Sequence, residues 1–234
     1  MRVIGIDGCK AGWICVAIEG GRADFRVAPR IEDVLRREAA ADLILIDIPI
    51  GLLEGGTEHR APDAAARGLL GRRASSVFTA PVRPVLYAPD YPAANDLSRR
   101  LTGRGLSKQT WAIVPKIREV DEALRARPAW RGRVREVHPE VCFHAFAGGR
   151  PMRHNKKTDE GFQERFHLLA ARYPEAERLL GSMVLREGKR VARDDAVDAL
   201  AAALTGLEPD RMRTIPEQPA VDAYGLAMEI VFAR

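Results

Sequence analysis

The chain opens on an apolar stretch over residues 3–7 that ends in Asp7, and a second over 13–19 follows the turn Gly8-Cys9-Lys10-Ala11-Gly12. Short apolar runs separated by glycine-rich punctuation predict two strands joined as a hairpin. Gly20-Gly21 marks another turn, and residues 24–27 predict a third, weaker strand. Residues 31–41 set Val34 and Leu35 among charges, the spacing of an amphipathic helix. Leu43-Ile44-Leu45-Ile46-Asp47-Ile48 is a continuous run of leucine and β-branched residues, as in a strand buried on both faces, and Pro49 and Gly51 stop it.

From 51 to about 128 the pattern turns helical between prolines and glycines. Helices are predicted over 62–70 and 107–124, the second kinked or interrupted at Pro115. Residues 133–137 return to strand, and 139–146 read as a helix with Pro139 in its first turn. An amphipathic helix over 161–173 and an alanine-rich one over 194–204, ended by Gly206, complete the pattern. No internal repeat is visible. Three strands, helix, strand, helical insertion, strand and helices predict an α/β layer architecture whose opening strands are hairpin-connected. A single domain over 1–234 is expected, with a mostly helical insertion at about 52–130.

Composition narrows the class without naming it. Apolar residues make up 46% of 234 and charged ones 29%, the balance of a globular chain with a real core. No apolar run approaches the roughly 20 residues of a membrane helix. The first residues lack the marks of a signal peptide, so a cytoplasmic location is expected. Cys9, Cys15 and Cys142 are widely spaced and fit reduced thiols better than a disulfide framework. A formal charge of +5 permits a polyanionic partner.

The chemistry concentrates in carboxylates. Asp7 ends the first strand and Asp47 lies near the end of the buried run, at the carboxyl ends where open α/β sheets bind ligands. A charge there is costly to bury without a partner. In Arg193-Asp194-Asp195-Ala196-Val197-Asp198, the side chains of Asp195 and Asp198 share one helical face. One acid near this N-terminus is expected to cap the helix. A cap does not explain Asp198 within the alanine tract. Asp7, Asp47, Asp195 and Asp198 together make a hard-oxygen set suited to Mg2+ or Mn2+. Two such ions about 4 Å apart activate water and stabilise a departing oxygen in phosphoryl displacement.

Three of these segments resemble the acidic motifs of RuvC-type Holliday-junction resolvases in the RNase H-like superfamily: Gly5-Ile6-Asp7-Gly8, Ile46-Asp47, and Asp195-Ala-Val-Asp198-Ala-Leu-Ala. The chain also resembles, nearly end to end, a family described as predicted nucleases of RNase H fold. That likeness rests on Asp7-Gly-Cys-Lys-Ala-Gly-Trp13, Asp47-Ile-Pro-Ile-Gly51, Leu106-Ser-Lys-Gln-Thr-Trp111 with Pro115-Lys116-Ile117, Glu136-Val-His-Pro-Glu140 and the aspartate-rich helix. The resemblance implies an RNase H-like mixed sheet, three antiparallel N-terminal strands plus parallel ones, with helices on both faces. It implies a metal-dependent nuclease using two ions, with Asp7, Asp47, Asp195 and Asp198 as ligands. Resolvases usually carry glutamate where this chain has Asp47, and they lack the insertion, so junction cleavage does not carry over.

In an RNase H-like strand order the strand carrying Glu136 neighbours that of Asp47, which makes Glu136 a candidate catalytic residue. His138 is a possible proton carrier or simply a helix-entry residue. Without a CxxC pair, His138, Cys142 and His144 make a poor zinc set. Lys10, Lys108, Lys116 and Lys156 are candidate substrate contacts to a DNA or RNA backbone, with Arg118 and Lys157 nearby in sequence and Arg67, Arg72, Arg73 and Arg83 in the insertion. Trp13 and Trp111 could stack on bases, though their patterns fit core positions better. Two other classes fit the opening hairpin: a phosphotransferase of the actin and sugar-kinase type, and a non-catalytic binding module.

Overall fold

A computed structural model describes residues 1–234. Its elements in chain order begin with strands β1 (Arg2–Cys9), β2 (Gly12–Glu19) and β3 (Arg22–Ala28), helix α1 (Ile31–Arg37) and strand β4 (Leu43–Ile46). Helices α2 (Ala61–Leu70), α3 (Tyr91–Thr102) and α4 (Lys108–Ala126) follow, then strand β5 (Val134–Glu136). Helices α5 (Pro139–Phe146), α6 (Asp159–Ala170), α7 (Ala176–Glu187) and α8 (Arg193–Gly206) lead to a final pair of strands, β6 (Met212–Val221) and β7 (Ala227–Ala233). The chain separates into two compact units, one of Met1–Asp47, Arg133–Arg213 and Val231–Arg234, the other of Ile48–Gly132 and Thr214–Ile230.

The first unit is built on a five-stranded mixed sheet of order β3-β2-β1-β4-β5. β1 pairs antiparallel with β2, and β2 with β3, whereas β1–β4 and β4–β5 are parallel. Strand pleating sends alternate side chains to opposite faces, and residues in register share a face. Val3, Gly5 and Asp7 therefore face one side together with their partners Ile18, Val16 and Ile14. Ile4 and Ile6 face the other, in register with Ile44 and Ile46. That second face belongs to α1, beside which Arg2 donates to Glu38 at 2.7 Å.

The first face carries α8, and Gly5 explains how closely. A Cβ on Gly5 would strike the carbonyl oxygen of Ala199 and the backbone nitrogen of Ala203. Residues 199–203 of α8 are all buried, so the alanine tract is the surface that lets a helix backbone lie directly on a strand. At the other end of the contact, a Cβ on Gly206 would meet Val3. Val3 to Asp7 spans about 13 Å of strand, and Asp198 to Gly206 about 12 Å of helix. Running antiparallel from that anchor, α8 brings Asp198 over Asp7.

In the second unit, Val82, Val85, Ala94 and Leu106 form a small core with Leu53, Leu97, Leu101 and Trp111 around it. The predicted helices over 62–70 and 107–124 correspond to α2 and α4, and α4 continues through Pro115. Arg83, expected among the basic surface residues, is instead buried. Its guanidinium bonds Asp121 at 3.1 Å, Asp222 and Glu54, and stacks 4.5 Å from the Tyr224 ring centroid. A buried guanidinium surrounded by three carboxylates is structural. Trp13 is fully buried, and Trp111 packs on Tyr91 with ring centroids 6.4 Å apart.

Candidate metal centre

Three of the predicted carboxylates converge. Ligand oxygens of Asp7, Asp47 and Asp198 all lie within 4.8 Å of one another. Asp7 sits near the end of β1, where its Oδ1 accepts the Gly8 N–H at 2.6 Å. Asp47 extends β4 by one residue, held as its own N–H donates to the Ile6 carbonyl at 3.0 Å. Asp198 comes from the second turn of α8 and is 1% exposed, while Asp47 is partly exposed and forms the open side.

The electrostatics are strained in the metal-free state. Burial pushes the Asp7 carboxyl well above its usual range, and the charges of Asp47 and Asp198 add to that. Asp47 is pushed up to about 8 by burial and then by Asp198. Asp198 is raised too, burial again dominating, although Lys156 pulls it down. One oxygen of Asp198, Oδ1, is buried with no hydrogen-bond partner. An orphaned buried carboxylate oxygen is costly, and a cation would relieve it.

Asp195 stands outside the converging group. As the third residue of α8, its Oδ2 accepts the Ala192 N–H at 3.0 Å, satisfying a donor at the helix start. Burial and its neighbour Asp194 still leave its carboxyl at about 6. It serves as the helix-capping acid, and the ligand role expected for it does not appear in the geometry. Glu136 is buried, and β5 does neighbour β4, but Glu136 is in register with Ile46. Its side chain therefore leaves on the face opposite Asp7 and Asp47. Its charge nonetheless contributes to raising Asp47. His138 precedes α5 as its N-cap residue, and its carbonyl accepts the Val141 N–H at 2.8 Å.

Of the four candidate substrate lysines, Lys156 is the one the structure brings to the carboxylates. Its Nζ lies 2.5 Å from Asp198 Oδ2 and 3.8 Å from Asp194 Oδ2. Against the cost of burial, Asp198, Asp7 and Asp47 hold the ammonium above its ordinary range. Lys10 is exposed in the β1–β2 turn. Lys108 and Lys116 lie on α4 in the second unit, whose N-terminal end, with Arg67 and Arg104, lines a cavity of about 650 Å³. Arg67 there is spent on the Val77 carbonyl and the Thr79 hydroxyl.

Sequence reasoning missed the residues that aim Lys156. Arg165 is 1% exposed and donates to the carbonyls of His154 and Gly161 while pairing with Glu140. Glu164 accepts the N–H groups of Arg153 and His154 at 2.8 to 3.0 Å. A Cβ on Gly161 would run into the Asn155 carbonyl, so the start of α6 and the lysine loop are pressed together. No spacing rule links Glu140 to Arg165 across 25 positions; the only signal was a glycine after a helix cap.

A sequence profile of one family, described as "Protein of unknown function (DUF429)", matches residues 5–221. The chain belongs to the DUF429 family. No match is found among curated proteins. Asp7, Asp47, Asp198 and Lys156 all fall within the part of the DUF429 member that the profile covers.

Proposed function

We propose that this DUF429 protein is a divalent-metal-dependent nuclease of RNase H-like fold, hydrolysing phosphodiester bonds in DNA or RNA. Three features support the fold reading: an antiparallel hairpin opening the sheet, parallel strands beyond β1, and a late helix laid across the carboxyl-bearing strands. The observation that carries the function is the convergence of Asp7, Asp47 and Asp198 with Asp198 Oδ1 left buried and unpartnered.

The residues fit a magnesium-class ion. Asp7, Asp47 and Asp198 would hold it through hard oxygen atoms, and their mutual repulsion disfavours any occupant but a cation. When bound, such an ion supplies an acidified water and stabilises charge on phosphoryl oxygens. Water adds to phosphorus, the P–O ester bond breaks, and the departing oxygen takes a proton. The partly exposed Asp47 marks the side from which substrate enters. The net charge of +5 favours a polyanionic substrate.

The test is a panel of labelled single- and double-stranded DNA and RNA, incubated with Mg2+ or Mn2+. Cleavage is expected in the wild type and is abolished in Asp7→Asn and Asp198→Asn, both still folded by circular dichroism. Equal cleavage by wild type and Asp7→Asn removes Asp7 from catalysis. ATP hydrolysis without cleavage of any nucleic acid moves the reading to a phosphotransferase.

A further inference from the structure

We propose that Lys156 is a built-in cation of the carboxylate centre, so that the site takes one divalent ion and the ammonium fills the place of a second. The inference rests on the metal-centre reading above and departs from the two-ion expectation.

The oxygen supply decides the count. Two ions about 4 Å apart need carboxylates that can reach both. Here Asp198 Oδ2 is taken by Lys156 at 2.5 Å, leaving Oδ1 as the buried oxygen without a partner. Asp195, the fourth acid of the set, lies outside the group of converging ligand oxygens and has Oδ2 engaged by the Ala192 N–H. One oxygen of Asp7 is already engaged by the Gly8 N–H. Enough remains for one octahedral ion completed by water, and little for two. Charge agrees: three ionised carboxylates and one ammonium leave a formal −2, which one divalent ion neutralises, whereas a second would leave +2 before substrate arrives.

The lysine is aimed. Its loop is tied by Glu164 to the backbone of Arg153 and His154 and by the buried Arg165 to the His154 carbonyl. Asn155 is pressed against Gly161, and Thr158 caps α6 by accepting the Gly161 N–H at 3.1 Å. Lys157, the next residue, is exposed. With about a third of its side-chain surface still accessible, Lys156 can also donate to a non-bridging oxygen of a bound phosphodiester.

The experiment titrates Mn2+ into the full-length protein by calorimetry, with free Mn2+ counted in parallel by electron paramagnetic resonance. The variants are Lys156→Met, Lys156→Gln and the control Lys157→Met, each checked for folding by circular dichroism. One ion is expected in the wild type and in Lys157→Met, and two in the Lys156 variants. In cleavage assays the Lys156 variants are expected to lose about 100-fold in kcat with a smaller change in KM. Two ions in the wild type, or one ion regardless of residue 156, would overturn the proposal while leaving the metal centre standing. No Mn2+ in any protein overturns the metal centre and the role of Lys156 with it.

Discussion

Asp47 and Asp195 carry carboxyls pushed up to about 8 and about 6, burial being the leading cause in both, and Asp7 is raised as well. Near neutral pH the metal-free folded chain therefore retains protons that the unfolded chain, with ordinary carboxyls near 4, has released. Where the folded state binds more protons, stability falls as pH rises. The melting temperature in EDTA is expected to decline from about pH 4 to about pH 8, tempered by the partial exposure of Asp47. Metal requires the ionised carboxylates, so the stabilisation added by Mg2+ is expected to grow through the same window. Asp7→Asn removes one of the repelling charges. It should melt higher than wild type in EDTA at pH 8 and gain nothing from Mg2+. A lower melting temperature under those conditions would mean that repulsion does not govern this pocket. At this scale Asp7, Asp47 and Asp198 were legible in the sequence, each an acid where the apolar pattern offers no reason for one. Asp195 was ambiguous because a helix start and a metal both favour an acid, and only the bond to Ala192 separates them. Lys156 was legible only as one of four candidate substrate lysines; its pairing with Asp198 had no signature, since it depends on a loop fixed by residues remote in sequence.

Among the elements, the contact between β1 and α8 sets the geometry of the whole centre. Gly5→Ala places a methyl against the backbone of Ala199 and Ala203, which cannot retreat without lifting α8 from the sheet. The expected cost is about 3 kcal/mol, at the upper end for overpacking, with Mn2+ affinity weakened because Asp198 moves with the helix. Urea denaturation and a Mn2+ titration measure the two together. A Gly5→Ala protein as stable as wild type would contradict this contact. The five strands of the sheet and α8 were readable in the sequence, the strands as short runs between turn signals and α8 as an alanine-rich segment ended by a glycine. The face of Glu136 was not, since strand register alone decides it and a shift of one residue reverses every side chain. The pair β6–β7 escaped the pattern for another reason. Pro216 and Pro219 within β6 argue against a strand, and a two-stranded sheet tolerates them where a central strand would not. Helix α4 likewise runs through Pro115, whose missing N–H costs one bond in a helix of 19 residues.

For the molecule as a whole, residues separated by more than 190 positions come together to make a centre that neither the strands nor the helix holds alone. The sequence profile spans residues 5–221 and thus both compact units, so membership of the DUF429 family describes the chain rather than one part of it. The positive charge and the clustered carboxylates pull in opposite senses: the first favours a polyanion broadly, the second repels it locally until a cation is present. The proposed divalent ion would resolve that opposition. A crystal soaked in Mn2+ and measured for anomalous scattering tests it most plainly. A peak is expected bounded by Asp7, Asp47 and Asp198, with Lys156 alongside and Asp195 still bonded to Ala192. Mn2+ bound elsewhere, or a pocket that stays free of it while the three carboxylates close on Lys156 alone, would remove the proposed metal centre.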